Sequence, residues 1–145
     1  MVDDTVMGGI SKGSVKTNKS GFVEFYGHTS LENNGGFSSV RLTDLSIMVE
    51  NYNFLVVKLK GTPSTYQLRI KEDKTTNYSY ISLFTTNGSW QTIQIPIFKM
   101  YPVYRGKRLK MTNFNGLKIE EIAFLIGNKK EEDFKLEIDS ICLSN

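Results

Sequence analysis

From residue 66 to 71 the chain alternates without a break. Tyr66, Leu68 and Ile70 fall on one side, and Gln67, Arg69 and Lys71 on the other. A period of two puts successive side chains on opposite faces of a strand, one toward a core and one toward water. Residues 54–60 repeat the pattern, with Leu55, Val57 and Leu59 opposed to Lys58 and Lys60. Composition agrees. Ala123 is the only alanine, while the chain holds nine phenylalanines and seven tyrosines. The best helix former is almost missing, and residues suited to pleated surfaces are plentiful. The expected fold class is all-β, an antiparallel sandwich or jelly roll of about eight or more strands.

The other strands follow from the same signals. Residues 21–26 and 36–42 read as strands, the second entered through the turn tetrad Asn33-Asn34-Gly35-Gly36. Residues 78–85 and 90–95 follow, joined by Asn87-Gly88, which reads as a hairpin turn. Trp90 reads as a core anchor. Residues 96–116 hold Pro96, Pro102 and Gly106 and read as a long crossover loop. Residues 119–126 form an apolar strand. In residues 134–143, Phe134, Leu136 and Ile138 point inward, but Ile141 and Leu143 break phase, so a bulge is expected near Asp139. A chain of 145 residues fits one domain, 1–145. The first motif begins at Asp3, so some N-terminal residues are expected to be missing.

Several function classes lose their material. With one histidine, His28, and one cysteine, Cys142, neither an internal disulfide nor a four-ligand Cys/His zinc site can be built. No catalytic constellation accompanies His28, and no enzyme activity, cofactor or metal is expected; calcium ligation by oxygens stays open. A net charge of +3 does not argue for nucleic acid. No window of about 18 apolar residues suggests a transmembrane segment. No leader is visible, which favours a cytoplasmic or membrane-peripheral location over secretion.

Three runs carry more detail than a generic sandwich requires. They are Asp4-Thr5-Val6-Met7-Gly8-Gly9-Ile10-Ser11, then Ser30-Leu31-Glu32-Asn33-Asn34-Gly35-Gly36-Phe37 leading to Val40-Arg41, and Tyr101-Pro102-Val103-Tyr104-Arg105-Gly106. With Tyr66-Gln67-Leu68-Arg69, Trp90 and the closing run 134–138, they resemble the thirty-kilodalton complex I intermediate-associated protein family. The resemblance implies a galactose-binding-like sandwich, a fold shared with many carbohydrate-binding modules. It also implies relation to a chaperone that assists assembly of respiratory complex I. The expected role is a non-catalytic protein-interaction domain, with a carbohydrate-binding module as the alternative. The expected partner is a protein, respiratory-complex assembly intermediates being the implied case, or else an oligosaccharide.

Candidate binding residues follow from chemistry. Asp4, Met7 and Ser11 lie in a glycine-rich loop that either closes the sandwich or faces a ligand. Glu32, Asn33 and Asn34 bring a carboxylate and two amides that suit sugar hydroxyls, a peptide backbone, or their own turn. Arg41 and Arg69, if they share a face with Glu32, can form a carboxylate network. Tyr101 and Tyr104 flank Pro102 as stacking candidates. Arg105 opens the basic run 105–110 and is the arginine expected to stay free.

Overall fold

The computed structural model describes residues 2–3, 12–17, 23–29, 38–42, 45–128 and 132–145. Two antiparallel sheets face each other. The larger has seven strands in the order β1 (Val2–Asp3), β4 (Ser38–Leu42), β13 (Glu121–Ile126), β7 (Thr65–Lys71), β8 (Ser79–Thr85), β10 (Tyr101–Tyr104) and β11 (Lys107–Arg108). The smaller has five, ordered β2 (Lys12–Thr17), β3 (Val23–Thr29), β14 (Glu132–Ser144), β6 (Phe54–Gly61) and β9 (Trp90–Pro96). A short pair, β5 (Ile47–Met48) and β12 (Lys118–Ile119), stands apart.

The alternation read from the sequence decides which residues meet between the sheets. Val40, Tyr66, Leu68, Ile70, Phe84, Ile122 and Phe124 point inward from the seven-stranded sheet. Phe25, Leu55, Val57, Leu59, Phe134, Leu136 and Ile138 come from the five-stranded one. Aromatic rings interlock at several places. Phe25 and Phe134 sit 4.8 Å apart within the five-stranded sheet, and Phe84 meets Phe124 edge-on at 6.4 Å within the other. Burying each such side chain stabilises the fold by roughly 1.5–3 kcal/mol.

One end of the sandwich is tied by a polar lock. Asn128 Nδ2 donates to Glu132 Oε1 at 2.7 Å and to the Thr65 carbonyl at 3.1 Å. Ser64 Oγ donates to Glu132 Oε2 at 2.9 Å. Thr86 Oγ1 donates to the Thr62 carbonyl at 2.6 Å. These bonds join the β6–β7 turn to the start of β14 and the end of β8. Gly61 is required at this lock, because a Cβ there would lie 2.9 Å from Thr86 Cγ2.

The bulge expected near Asp139 is present: the β14–β6 register shifts between Ile138 and Ser140. Other expectations are corrected. Asn87-Gly88 closes no hairpin, since β8 pairs with β7 and β10 while β9 pairs with β6. Gly88 has φ 87°, and Asn87 Oδ1 accepts from Ser89 N at 2.9 Å, so the turn carries the chain between sheets. The run 119–126 is two strands. At Glu120 the chain leaves one partner for another, and its N–H donates to the Lys71 carbonyl at 2.8 Å. Trp90 is not a core anchor. It is 38% exposed, because it shares the parity of Thr92 and Gln94 rather than that of Ile95 in the core.

The run 96–116 is not a plain loop. After a single 3-10 turn, Ile97–Lys99, it forms β10 and β11, which add a hairpin to the edge of the seven-stranded sheet. Arg105 (φ 49°) and Gly106 (φ 79°) occupy the two central turn positions. Positive φ at both is the signature of a type I′ turn, whose twist suits a two-residue hairpin.

Candidate binding face

The ladder register builds a continuous row across the outer face of the seven-stranded sheet. Arg41 lies opposite Ala123, and Ala123 opposite Arg69. Arg69 in turn faces Ile81, and Ile81 faces Tyr101. Directly opposed residues in an antiparallel ladder project to the same face. The neighbouring row runs Ser39, Leu125, Gln67 and Leu83. Leu83 is 54% exposed. Val103 pairs with Arg108, which brings that arginine onto the same face.

Tyr101 and Arg108 meet there. The Arg108 guanidinium carbon lies 4.4 Å from the Tyr101 ring centroid, a cation–π contact. The tyrosine ring is therefore occupied on one side. Arg41 is exposed and has no ion-pair partner among the described residues. The floor between the arginines is small or aliphatic and buried: Ala123, Leu125 and Ile81.

Arg69 is the residue with unfinished chemistry. It is half-buried, and its Nε is enclosed with no hydrogen-bond acceptor among the described residues. Burial pulls its pKa below the ordinary arginine value, and the Glu121 carboxylate opposes that shift. Arginine keeps its charge through such a shift. A buried donor left without an acceptor costs about 1–3 kcal/mol. An incoming carboxylate, carbonyl or hydroxyl oxygen recovers part of that.

The structure thus brings Arg41, Arg69 and Tyr101 together. It does not bring Tyr104 and Arg105 with them. Tyr104 has the opposite parity to Tyr101, and Arg105 sits at the hairpin tip, its guanidinium 5.4 Å from the Tyr104 ring. Arg105 is exposed in a tight hairpin turn rather than a long loop, and no hydrogen bond or ion pair engages it among the described residues. Asp4, Met7, Ser11, Glu32, Asn33 and Asn34 lie outside the described residues. Arg108, Gln67 and Leu83 escaped the sequence reading. Gln67 shares parity with Arg69 and was legible. Arg108 was not, because its face depends on β11 pairing with β10.

A depression of about 210 Å³ lies on the other sheet, lined in part by Lys60, Lys135 and Glu137. Lys135 there is already engaged, its Nζ 3.4 Å from both Glu137 and Glu24. His28 also belongs to that sheet. Its Nδ1 lies 2.8 Å from Asp133 Oδ1 at an exposed position. No group of three or more His, Cys, Asp or Glu among the described residues is arranged to hold a metal ion, and no described helix is long and apolar enough to cross a membrane.

Comparison with known proteins adds a family and a set of folds. A family model described as Complex I intermediate-associated protein 30 matches residues 1–138. No curated protein matches the chain. Among solved structures, the chain is similar to a family 11 carbohydrate-binding module from Clostridium thermocellum in complex with a β-1,3-1,4-mixed-linked tetrasaccharide. That match has 17% identity and a TM-score of 0.67, and covers 95% of this chain and 84% of the other. A family 30 carbohydrate-binding module matches at 13% identity and TM-score 0.63, covering 92% of this chain and 73% of that one. At these identities the likeness is one of fold: the galactose-binding-like jelly roll.

Proposed function

We propose that this chain, which belongs to the Complex I intermediate-associated protein 30 family, is a non-catalytic protein-interaction domain that binds through the outer face of its seven-stranded sheet. The partner class suggested by the family is an intermediate of respiratory complex I. One observation carries the choice of face: Arg69 holds an enclosed Nε with no acceptor among the described residues, in a row with Arg41 and Tyr101. Arginine forks favour carboxylates and carbonyls, and arginine and tyrosine are enriched where proteins meet.

A carbohydrate-binding role is the second reading. It is supported by the fold shared with carbohydrate-binding modules. Against it stands the state of the aromatic platform. Arg108 already takes one side of Tyr101, which leaves a single side of that ring for sugar stacking. A face with three arginines, a leucine and a tyrosine covered on one side suits an acidic protein segment better than a neutral glycan.

The test is a paired binding measurement. Purified complex I assembly intermediates are presented to the wild-type chain and to the double variant Arg41→Ala, Arg69→Leu. Capture by the wild type and loss in the variant, with unchanged thermal unfolding, is the expected result. Equal capture by both removes the proposed face. Calorimetric titration with the mixed-linked tetrasaccharide runs beside it, and saturable heat there transfers the reading to glycans.

A further inference from the structure

The four outer strands of the two sheets are protected unequally. β1 and β11 have two residues each, and β11 is Lys107-Arg108. β2 carries Lys12 and Lys16. Short strands and lysines are the usual ways of stopping a sheet edge from recruiting another chain. β9 has neither. It runs seven residues, Trp-Gln-Thr-Ile-Gln-Ile-Pro, without a charge, and among the described residues it pairs on one side only, with β6.

Which backbone groups face outward follows from the ladder. Asn53 and Gly61, flanking and closing β6, accept through their carbonyls from Ile97 N at 3.0 Å and Gly88 N at 2.9 Å. The odd-numbered residues of β6 are thereby turned toward β9. Antiparallel pairs alternate between bonded and non-bonded. Thr92 and Gln94, opposite Lys58 and Val56, therefore occupy the non-bonded positions, with N–H and C=O turned away from β6. Both residues are exposed.

Charge on the neighbouring strand selects what can dock. Lys58 and Lys60 stand beside Thr92 and Trp90 on the outer face of the sheet. Among the described residues Lys58 has a single long ion-pair contact, 3.7 Å to Asp139. A strand added at β9 would lie two strand spacings, about 9.6 Å, from these lysines, within joint reach of a lysine and a glutamate. On the inner side it would meet Ile93. We propose that β9 is a strand-addition site for an extended partner segment that alternates apolar residues with acidic ones, the acids facing Lys58 and Lys60. A second copy of the chain fits less well, because its own β9 brings no acid to these positions.

Trp90 is the chain's sole tryptophan and reports directly on this edge. The probe is a capped peptide of about eight residues, a usual strand length, alternating Val and Glu. A second peptide carries Lys in place of Glu. The expected result is a saturable change in Trp90 emission with the Glu peptide, at least about ten-fold tighter than with the Lys peptide, a gap of about 1.4 kcal/mol. Gln94→Pro removes an outward N–H but no bond to β6, so the fold is retained and Glu-peptide binding falls about ten-fold or more. Lys58→Glu with Lys60→Glu keeps the backbone edge intact and reverses the peptide preference. The proposal is overturned if the Glu peptide does not bind, if both peptides bind equally, or if the wild type instead dimerises through β9 and excludes the peptide.

Discussion

The two outer faces of the sandwich are built by the same rule and end in opposite states. On the five-stranded sheet, Glu24, Glu137, Lys60 and Trp90 form a row across four strands. Lys135 stands between two carboxylates, Glu24 and Glu137, each at 3.4 Å. On the seven-stranded sheet the corresponding row carries Arg41 and Arg69 on either side of Ala123, with one enclosed nitrogen lacking an acceptor among the described residues. Around Lys135 the first face completes its electrostatics internally, and at the β9 edge Lys58 and Lys60 remain for a partner. The other keeps donors available. A completed face contributes to folding, and an incomplete one is suited to an outside partner, at some loss of stability.

The largest effect should come from beneath both faces. Phe124→Ala empties a fully buried site against Phe84 and is expected to lower stability by about 3–5 kcal/mol, measured by urea unfolding. The faces should then lose their distinction together. Next is the lock at the end of the sandwich. Asn128→Ala leaves Glu132 short of a donor, and a loss of about 1–3 kcal/mol is expected, read as a lower midpoint with unchanged m-value.

Arg69→Leu tests the contrast directly. Removing a half-buried group with an unmet donor should leave stability within about 1 kcal/mol of wild type, or raise it, while partner binding falls. A clear drop in stability would mean that the face is complete after all. The smallest effect belongs to the paired face. Lys135→Met should lower Tm slightly and leave binding unchanged.

The pH dependence of that last difference has a definite sign. Hydrogen bonds to Glu137 and then Glu24 raise the Lys135 pKa in the folded chain. A raised folded pKa means the contribution is complete below the unfolded value, about 10.4, and is lost as pH rises through the folded one. The Tm gap between wild type and Lys135→Met should therefore hold steady from neutral pH to about 9 and close above about 10.4. A gap that widens with alkali would contradict the pairing.

The inward rows were legible because alternation is local. Tyr66, Leu68, Ile70, Leu55, Val57 and Leu59 all lie where period two puts them. The bulge at Asp139 was legible from a single break of phase. Trp90 faces outward with Thr92 and Gln94, so parity along β9 and not its apolar bulk sets its exposure. Arg41 and Arg69 were identified as candidates on chemistry, yet their alignment across Ala123 was not. That alignment requires β13 to lie between β4 and β7, two contacts made by residues far apart in the chain.

Sequence by itself determined the class of fold, the core-facing side of most long strands, and the single histidine and cysteine that rule out an internal disulfide or a Cys/His zinc site. Tertiary structure decided which strands became neighbours. It turned Asn87-Gly88 into a passage between sheets, made a hairpin of residues 101–108, and set one pair of arginines around the only alanine. The reason is physical. Side-chain direction along a strand is fixed by the pleat within a few residues, whereas strand order depends on closing two sheets over one core, which no local pattern encodes.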